Sequence, residues 1–300
     1  MKTITVIGNF NFNPEQKARL EALGKVRFLP NPGSAQEWLG LVQGSDVICS
    51  DGFSLLANLY DLKNVFVTYP YIELGVFDSK KLEENGVTIA NTQGSNRDSI
   101  VEWVMFMILS LFRKFPSVLN VTHDIPLELS QSLSGKDLLV VGKGNIGTKI
   151  GTVCESFGMS VDFFLRGESL SKKAKYADVI VNSLNCNSTS RNLLDENFFM
   201  SLKPKAYYVS FVRQYTYDLE GLIKALDKGI VAGAAIDCDP EAPGNTSNDF
   251  YQRVLNHKKI LATPHIAFAT AQAKANGAEE VVKNIESYIQ GRPRNLVVKI

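Results

Sequence analysis

The sequence predicts an α/β fold made of two parallel-sheet units, and three observations support that prediction. Short apolar runs alternate with amphipathic stretches of helical spacing from the first residues onward, a pattern typical of parallel strands joined by crossover helices. A polar, irregular stretch from Pro116 to Ser134 ends this series, and a second series begins at Asp137. The second series opens on an apolar run, a glycine-rich turn and a helical pattern. We therefore expect one α/β unit interrupted by another.

The first series contains five short apolar runs and two clear amphipathic stretches. Asn, Gly and Pro residues separate several of them, and such residues favour turns. The predicted helices are Pro14–Leu23 and Ala35–Val42, and the predicted strands are Thr3–Ile7, Val26–Leu29, Asp46–Cys49, Val65–Thr68 and Val87–Ala90.

The second series contains six apolar runs, and a long helical pattern follows it. That helix, Ala271–Gln290, precedes a Gly-Arg-Pro turn, and residues 295–300 could form a last strand that returns to the first unit. The predicted strands are Leu138–Val141, Val161–Leu165, Asp178–Asn182, Ala206–Ser210, Val231–Ile236 and Lys259–Ala262.

Composition excludes several classes of function. The formal net charge of the 300 residues is +1, which argues against a nucleic-acid surface or a polybasic membrane patch. The first eight residues resemble a strand and a turn, so we expect no signal peptide. The four cysteines lack CxxC spacing, so we expect reduced thiols, no metal site and a cytoplasmic protein.

The apolar segment from Ile100 to Phe112 is too short to cross a bilayer and contains Glu102. A helix that is apolar on every side is expected to be buried on every side. We therefore predict a helix that lies between domains or between subunits, and no membrane partner.

The glycine-rich turn has the spacing of a dinucleotide-binding motif. Gly142, Gly144 and Gly147 form a GxGxxG pattern with Asn145 and Ile146 between the last two. Such glycines allow the tight turn, the close approach of a pyrophosphate and the packing of helix on strand. The motif alone leaves a simple structural turn equally possible.

Three later strand ends carry polar residues suited to ligand chemistry. Arg213 follows one predicted strand, Asp237 and Glu241 follow the next, and His265 follows the last. Ligands of open α/β sheets bind outside the carboxyl ends of the strands. Isolated surface charges or a structural histidine are the alternatives at these positions.

Taken in order, these motifs resemble the D-isomer-specific 2-hydroxyacid dehydrogenase family. The family's interdomain crossover is similar to Gly86–Gly94 followed by Ile100-Val101-Glu102. Its terminal segment is similar to Gly291–Leu296. The resemblance implies two Rossmann-like domains with the active site in the cleft between them. A doubly wound cofactor domain (residues 96–270) would be inserted in a flavodoxin-like substrate domain (residues 1–95 and 271–300).

The resemblance also implies roles for the strand-end residues. Arg213 matches the family's substrate arginine, whose planar fork suits a 2-oxo acid carboxylate. His265 matches the general acid, and Glu241 matches the carboxylate that favours its protonated form. The spacing before Glu241 is one residue shorter than usual, so Asp239 is an alternative. Asp237 matches an aspartate placed near the nicotinamide carboxamide.

Two stretches depart from the family pattern. Leu165 and Arg166 stand where an acid would bind the cofactor ribose, which favours NADP(H), although NAD(H) stays possible because Glu168 is close. The substrate loop contains Ile72 and Glu73 near its usual glycine. A glutamate there would repel a substrate carboxylate unless it points away or meets a cationic group.

The predicted function is therefore the reduction of a 2-oxo acid by NAD(P)H, or oxidation of the D-2-hydroxy acid. A homodimer is expected, because the Ile100 helix resembles the family's dimerisation element. The alternative is a cofactor-sensing binding protein, similar to corepressors on this scaffold, with weak or lost catalysis.

Overall fold

The computed structural model describes residues 1–50, 53–72, 77–120, 130–238 and 246–298. The chain divides into two compact units, one formed by Met1–Asn96 and Ala269–Ile300 and the other by Arg97–Phe268. The predicted domain boundaries, after residues 95 and 270, stay predictions.

The strands and helices alternate along most of the chain. The strands are β1 (Lys2–Ile7), β2 (Gly24–Leu29), β3 (Val47–Ser50), β4 (Val65–Thr68), β5 (Val87–Ala90), β6 (Asp137–Val141), β7 (Ser160–Phe164), β8 (Val179–Asn182), β9 (Ala206–Ser210), β10 (Val231–Asp237), β11 (Ile260–Thr263) and β12 (Leu296–Val298). The α-helices are α1 (Pro14–Leu23), α2 (Ala35–Val42), α3 (Phe53–Ala57), α4 (Ser79–Glu84), α5 (Arg97–Phe112), α6 (Asn145–Ser156), α7 (Leu170–Ala174), α8 (Glu196–Met200), α9 (Leu219–Asp227), α10 (Asp249–Leu255) and α11 (Ala271–Ile289). Short 3₁₀ helices span Ser117–Asn120 and Gln214–Thr216.

The first unit is a sheet in the order β2-β1-β3-β4-β5-β12. β1 to β5 pair in parallel, whereas β12 pairs antiparallel with β5. This is the 2-1-3-4-5 order of flavodoxin-like folds. The tail after α11 therefore returns to the first unit.

The second unit is an all-parallel sheet in the order β7-β6-β8-β9-β10-β11. The strand order reverses between β6 and β8, and such a switch point opens a crevice at the carboxyl ends of the strands. Only α7 lies between β7 and β8, so the extra strand that many doubly wound sheets carry beyond β7 has no counterpart here.

Each sheet is covered on both faces, which is the usual state of parallel sheets. Strand β6 shows the alternation: Leu139 and Val141 lie in one apolar cluster of the second unit, and Leu138 and Val140 lie in the other. The first unit likewise has two apolar clusters. Both faces of the strands are therefore core, as their nearly continuous apolar runs predict.

Helix α5 packs on β9, β10 and α6 within the second unit. In this chain the helix is not buried on every side, because Phe106 is 56% exposed and Glu102 is exposed too. The expected position between domains or between subunits stays a prediction. Ile100, Val104 and Ile108 face the core and explain the apolar composition of the buried side.

The predicted α/β fold with two parallel sheets is confirmed. Among the described residues, no helix combines the length and the apolar character that a bilayer-spanning segment needs.

Candidate functional site

The second sheet brings most of the predicted site residues to one edge. All six strands are parallel, so their carboxyl ends lie on the same side. Gly142 follows β6, Leu165 follows β7, Arg213 lies three residues after β9, and His265 lies two residues after β11. Adjacent parallel strands are ~4.8 Å apart, so β9 and β11, with β10 between them, are roughly 10 Å apart.

The glycine turn lies at the switch point and has three different glycine environments. Gly142 has φ +114°, and a Cβ there would lie 2.5 Å from the carbonyl oxygen of Ser183, just after β8. A Cβ on Gly147 would lie 2.1 Å from the carbonyl oxygen of Gly142. Gly144, in contrast, is exposed, and a Cβ there would meet nothing within 4 Å. The first and third glycines serve the fold, while the second leaves open space above the turn.

Gly144 is also the N-cap of α6, with no side-chain hydrogen bond to the first turn of the helix. The first N–H groups of a helix lack intrahelical partners and attract anions, an effect that the helix dipole strengthens. An uncapped helix start beneath open space fits a dinucleotide pyrophosphate.

The two glycines give a matched pair of variants. Gly147→Ala is expected to destabilise the fold by roughly 1–3 kcal/mol, because its methyl group would overlap backbone. Gly144→Ala is expected to change stability by less than about 1 kcal/mol, yet to weaken NADPH binding, because its methyl group would fill the space left for the phosphates. Urea unfolding and NADPH fluorescence titration measure the two effects.

Gly40→Ala, inside α2 with nothing within 4 Å of its added Cβ, is the control. It should be neutral or stabilising by about 0.5–1 kcal/mol. Equal NADPH affinity in Gly144→Ala and wild type would contradict a phosphate position above this turn.

A pocket of about 450 Å³ adjoins the start of α6. Three cations line it, Arg97, Lys143 and Lys149, together with the hydroxyls of Thr148 and Thr152. Arg97 is partly neutralised by Asp98, whose Oδ1 lies 2.9 Å from its Nε. Lys143 lies over the ring of Phe163, with Nζ 4.9 Å from the ring centroid. The surroundings of the helix start are therefore positively charged.

The end of β7 carries Leu165 and Arg166 on the exposed surface. The Arg166 Nη2 donates a hydrogen bond to Thr189 Oγ1 at 3.0 Å, which ties the guanidinium to the segment after β8. The Glu168 carboxylate accepts from the Leu165 N–H at 2.7 Å and pairs with Lys173 at 3.2 Å. Glu168 therefore stabilises its own turn, and a role as the ribose acid stays a prediction.

A buried polar network supports the segment that carries Arg213. The Asn182 amide, fully buried at the end of β8, donates to Tyr208 Oη and to Thr216 Oγ1, both at 3.0 Å. Thr216 Oγ1 in turn donates to the Arg213 carbonyl at 3.0 Å. Arg213 is half-buried. Hydrogen-bonded networks in a low-dielectric interior favour one geometry. The hydrogen bond from Thr216 therefore fixes the backbone of Arg213.

His265 lies in a strained backbone conformation next to Asp237. Its φ is +57°, in the left-handed region, which costs a non-glycine residue roughly 1–2 kcal/mol. Asp237, 3% exposed, accepts hydrogen bonds from Thr263, Ile266 and Ala267. Burial raises the pKa of the Asp237 carboxyl, while these bonds and the nearby His265 oppose the rise.

Ile72, the last described residue before the predicted substrate loop, is fixed by hydrogen bonds within the first unit. The carbonyl of Ile72 accepts from Asn91 Nδ2 at 2.7 Å and from Tyr69 Oη at 3.3 Å. The Asn91 carbonyl accepts from the fully buried Asn284 at 2.7 Å. The loop entry is thereby tied to α11.

Glu73, Asp239 and Glu241 lie outside the described residues, so their predicted roles stay predictions. Among the residues that are described, no group of three or more His, Cys, Asp or Glu could hold a metal ion.

Fold and strand-end residues together define a nucleotide-binding α/β protein with a second α/β unit. A family model described as D-isomer specific 2-hydroxyacid dehydrogenase, NAD binding domain, matches residues 105–267, more than half of the chain. The chain belongs to the D-isomer specific 2-hydroxyacid dehydrogenase family.

Curated relatives match at lower identity. D-3-phosphoglycerate dehydrogenase of Haemophilus influenzae is 27% identical over 226 residues, which cover 70% of this chain and 55% of that protein. D-lactate dehydrogenase of Staphylococcus aureus is 26% identical over 229 residues, covering 68% and 69%. The chain thus matches about half the length of the phosphoglycerate dehydrogenases.

Solved structures share the fold across the whole chain. An acyclic imino acid reductase in complex with NADPH and D-Arg has a TM-score of 0.83 at 18% identity and covers 98% of this chain and 99% of its own. A glyoxylate reductase from Paecilomyes thermophila has a TM-score of 0.83 at 18% identity, with coverage of 99% and 98%. At such identities, the likeness concerns the fold alone.

The positions of some residues near the site could not be predicted from the sequence. Arg97 reaches the start of α6 only because α5 packs on α6. Thr189 meets Arg166 across two loops, 23 residues apart. Lys149 was detectable in principle, because it lies one helical turn after Asn145 and shares its face.

Proposed function

We propose that this protein reduces a 2-oxo acid to the D-2-hydroxy acid with NAD(P)H, and catalyses the reverse oxidation. One observation carries the proposal: the glycine turn, Arg213 and His265 all lie at the carboxyl edge of a single parallel sheet. Family membership supports the same reaction class.

The cofactor would be held by the glycine turn and the positively charged start of α6. Gly142 and Gly147 shape the turn, Gly144 with Asn145 and Ile146 offers backbone N–H groups, and Leu165 and Arg166 would meet the adenosine ribose. When bound, the reduced nicotinamide supplies a hydride to the carbonyl carbon. Asp237, which accepts from Thr263, Ile266 and Ala267, would also accept a hydrogen bond from the nicotinamide carboxamide.

Arg213 would bind the substrate carboxylate and orient the adjacent carbonyl through its guanidinium fork. His265 would donate a proton to the carbonyl oxygen as the hydride arrives. Glu241, or Asp239 in its place, would favour the protonated histidine. Ile72 and Glu73 would lie against the substrate side chain and determine which 2-oxo acid is accepted.

The test is a panel of 2-oxo acids: glyoxylate, hydroxypyruvate, pyruvate and bulkier aromatic or branched members. We expect oxidation of NADPH or NADH with at least one of them. NADPH binding without turnover on any member would instead support the alternative, a cofactor-sensing protein. Each acid is also offered with ammonium, because a glutamate at position 73 could pair with a cationic imine.

We propose that NADP(H) is preferred over NAD(H), with Arg166 as a partner of the 2′-phosphate. A charge-assisted hydrogen bond contributes about 1.5–3 kcal/mol. Arg166→Ala is therefore expected to raise the KM for NADPH by roughly 10–100-fold and the KM for NADH much less, measured by steady-state kinetics.

Lys172→Ala is the control for general charge, because it removes an exposed cation from α7 in the same unit. It should leave the ratio of the two KM values unchanged. Equal effects of Arg166→Ala on NADPH and NADH would exclude a phosphate contact.

We also propose a homodimer that covers the exposed side of α5. The support is Phe106, an aromatic side chain of the largely apolar helix that is 56% exposed in this chain. Sedimentation velocity tests it, and a monomer at micromolar concentration would contradict it.

A further inference from the structure

Asp237 accepts hydrogen bonds from residues that precede and follow His265 in the chain. Its Oδ1 accepts from Thr263 Oγ1 at 2.6 Å and from the Ile266 N–H at 2.9 Å, and its Oδ2 accepts from the Ala267 N–H at 2.8 Å. Thr263 precedes His265 by two residues, and Ile266 follows it directly. One carboxylate thus joins the end of β10 to the loop after β11.

These hydrogen bonds stabilise a loop in which His265 has φ +57°. The left-handed region is uncommon for a residue other than glycine, and such conformations persist only when the surroundings over-determine them. The strand ends add one more bond, from the Cys238 N–H to the Thr263 carbonyl at 2.7 Å. The four bonds leave the backbone on both sides of His265 little freedom.

We propose that Asp237 is a positioning residue for His265: its carboxylate holds Thr263, Ile266 and Ala267 so that the imidazole keeps the direction that proton transfer requires. The inference rests on the proposed function, in which His265 is the general acid. It gives Asp237 a role beyond the cofactor contact implied by family resemblance. The carboxylate acts through the loop, and the histidine acts on the substrate.

Two variants remove different hydrogen bonds of Asp237. In Asp237→Asn an NH₂ group would replace one carboxylate oxygen and oppose the N–H of either Ile266 or Ala267, donor to donor. Thr263→Val removes the hydroxyl that bonds Oδ1 but keeps the shape and the Asp237 charge, and Thr263→Ser is its matched control because it keeps the hydroxyl. A misplacement of about 1 Å in a reacting group can lower the rate by roughly 10²-fold.

The experiment is a double-mutant cycle with His265→Ala, using NADPH and the 2-oxo acid of the panel that is reduced fastest. We expect Asp237→Asn to lower kcat by roughly 10–10²-fold with little change in the KM for substrate, and to raise the Kd for NADPH by a smaller factor, because Asp237 would also contact the carboxamide. In the His265→Ala background it should have no further effect on kcat, because residues that act as a unit are not additive. Thr263→Val should show the same pattern at smaller size, and Thr263→Ser should restore most of the loss.

Additive effects of Asp237→Asn and His265→Ala would overturn the inference, as would a loss that falls mainly on the Kd for NADPH. If Asp237→Asn does not fold, Thr263→Val is the deciding variant. An equal loss of kcat in the presence and absence of His265 would then overturn the inference. Turnover undiminished in His265→Ala would instead contradict the proposed function itself, and the positioning role would fall with it.

Discussion

Replacing His265 by alanine is expected to lower kcat by roughly 10²–10⁴-fold, the usual contribution of a general acid. The carbonyl oxygen gains negative charge as the hydride arrives, and without an acid at this position only water can protonate it. NADPH affinity should be unchanged, because the glycine turn and the start of α6 do not contain this side chain. Steady-state kinetics and NADPH fluorescence titration separate the two effects.

A second variant protects this experiment against a folding defect. His265→Asn places a residue that tolerates the left-handed region in the same backbone conformation, yet an amide cannot donate an acidic proton. It should therefore lose as much kcat as the alanine variant.

His257→Ala is the control, because His257 lies beside Asp227 near the surface, with Nε2 3.4 Å from Oδ1. It should retain normal kcat. Normal kcat in His265→Asn would contradict acid catalysis by this residue.

Arg213→Ala is expected to lower kcat/KM for a 2-oxo acid by roughly 30-fold to several thousand-fold, because removing one member of a buried, hydrogen-bonded charge pair costs about 2–5 kcal/mol. Arg213→Lys should recover only part of the loss, since an ammonium lacks the planar fork. The same kinetic assay with pyruvamide, which lacks the carboxylate, should show much less difference between variant and wild type.

Arg191→Ala is a matched control, because Arg191 is an exposed arginine of the same unit whose guanidinium lies 5.9 Å from the Tyr215 ring centroid. Its kcat/KM should stay near the wild-type value. An equal loss with pyruvate and pyruvamide in Arg213→Ala would show that the arginine does not bind the carboxylate.

Much of the fold was predictable because local pattern and burial agree. The bounds of β4, β5 and β9 match the predicted strands residue for residue, since each is a short apolar run that is buried on both faces. Strand β2 begins two residues earlier than predicted, because Gly24 and Lys25 pair with Lys2 and Thr3, and β7 lies one residue earlier than predicted. The short helices α7 and α8 were not predicted, because five residues carry too little periodicity.

Candidate site residues could be proposed from the sequence, whereas the geometry around them could not. A glycine motif and polar residues after strands can be found from sequence spacing alone. The bonds from Asp237 to Ile266 and Ala267 span 29 and 30 residues, so no local pattern shows them. The burial of α5 could not be predicted in full for a related reason: Phe106 contributes to the apolar pattern, yet it is 56% exposed in this chain.

Product analysis with the wild-type protein tests directly whether it reduces a 2-oxo acid to the D-2-hydroxy acid. A 2-oxo acid and NADPH or NADH are incubated with it, the loss of reduced cofactor is followed, and the product is resolved by chiral chromatography. We expect one D-2-hydroxy acid formed per reduced cofactor consumed. Firm cofactor binding with no hydroxy acid from any member of the panel, or formation of the L-isomer, would contradict it.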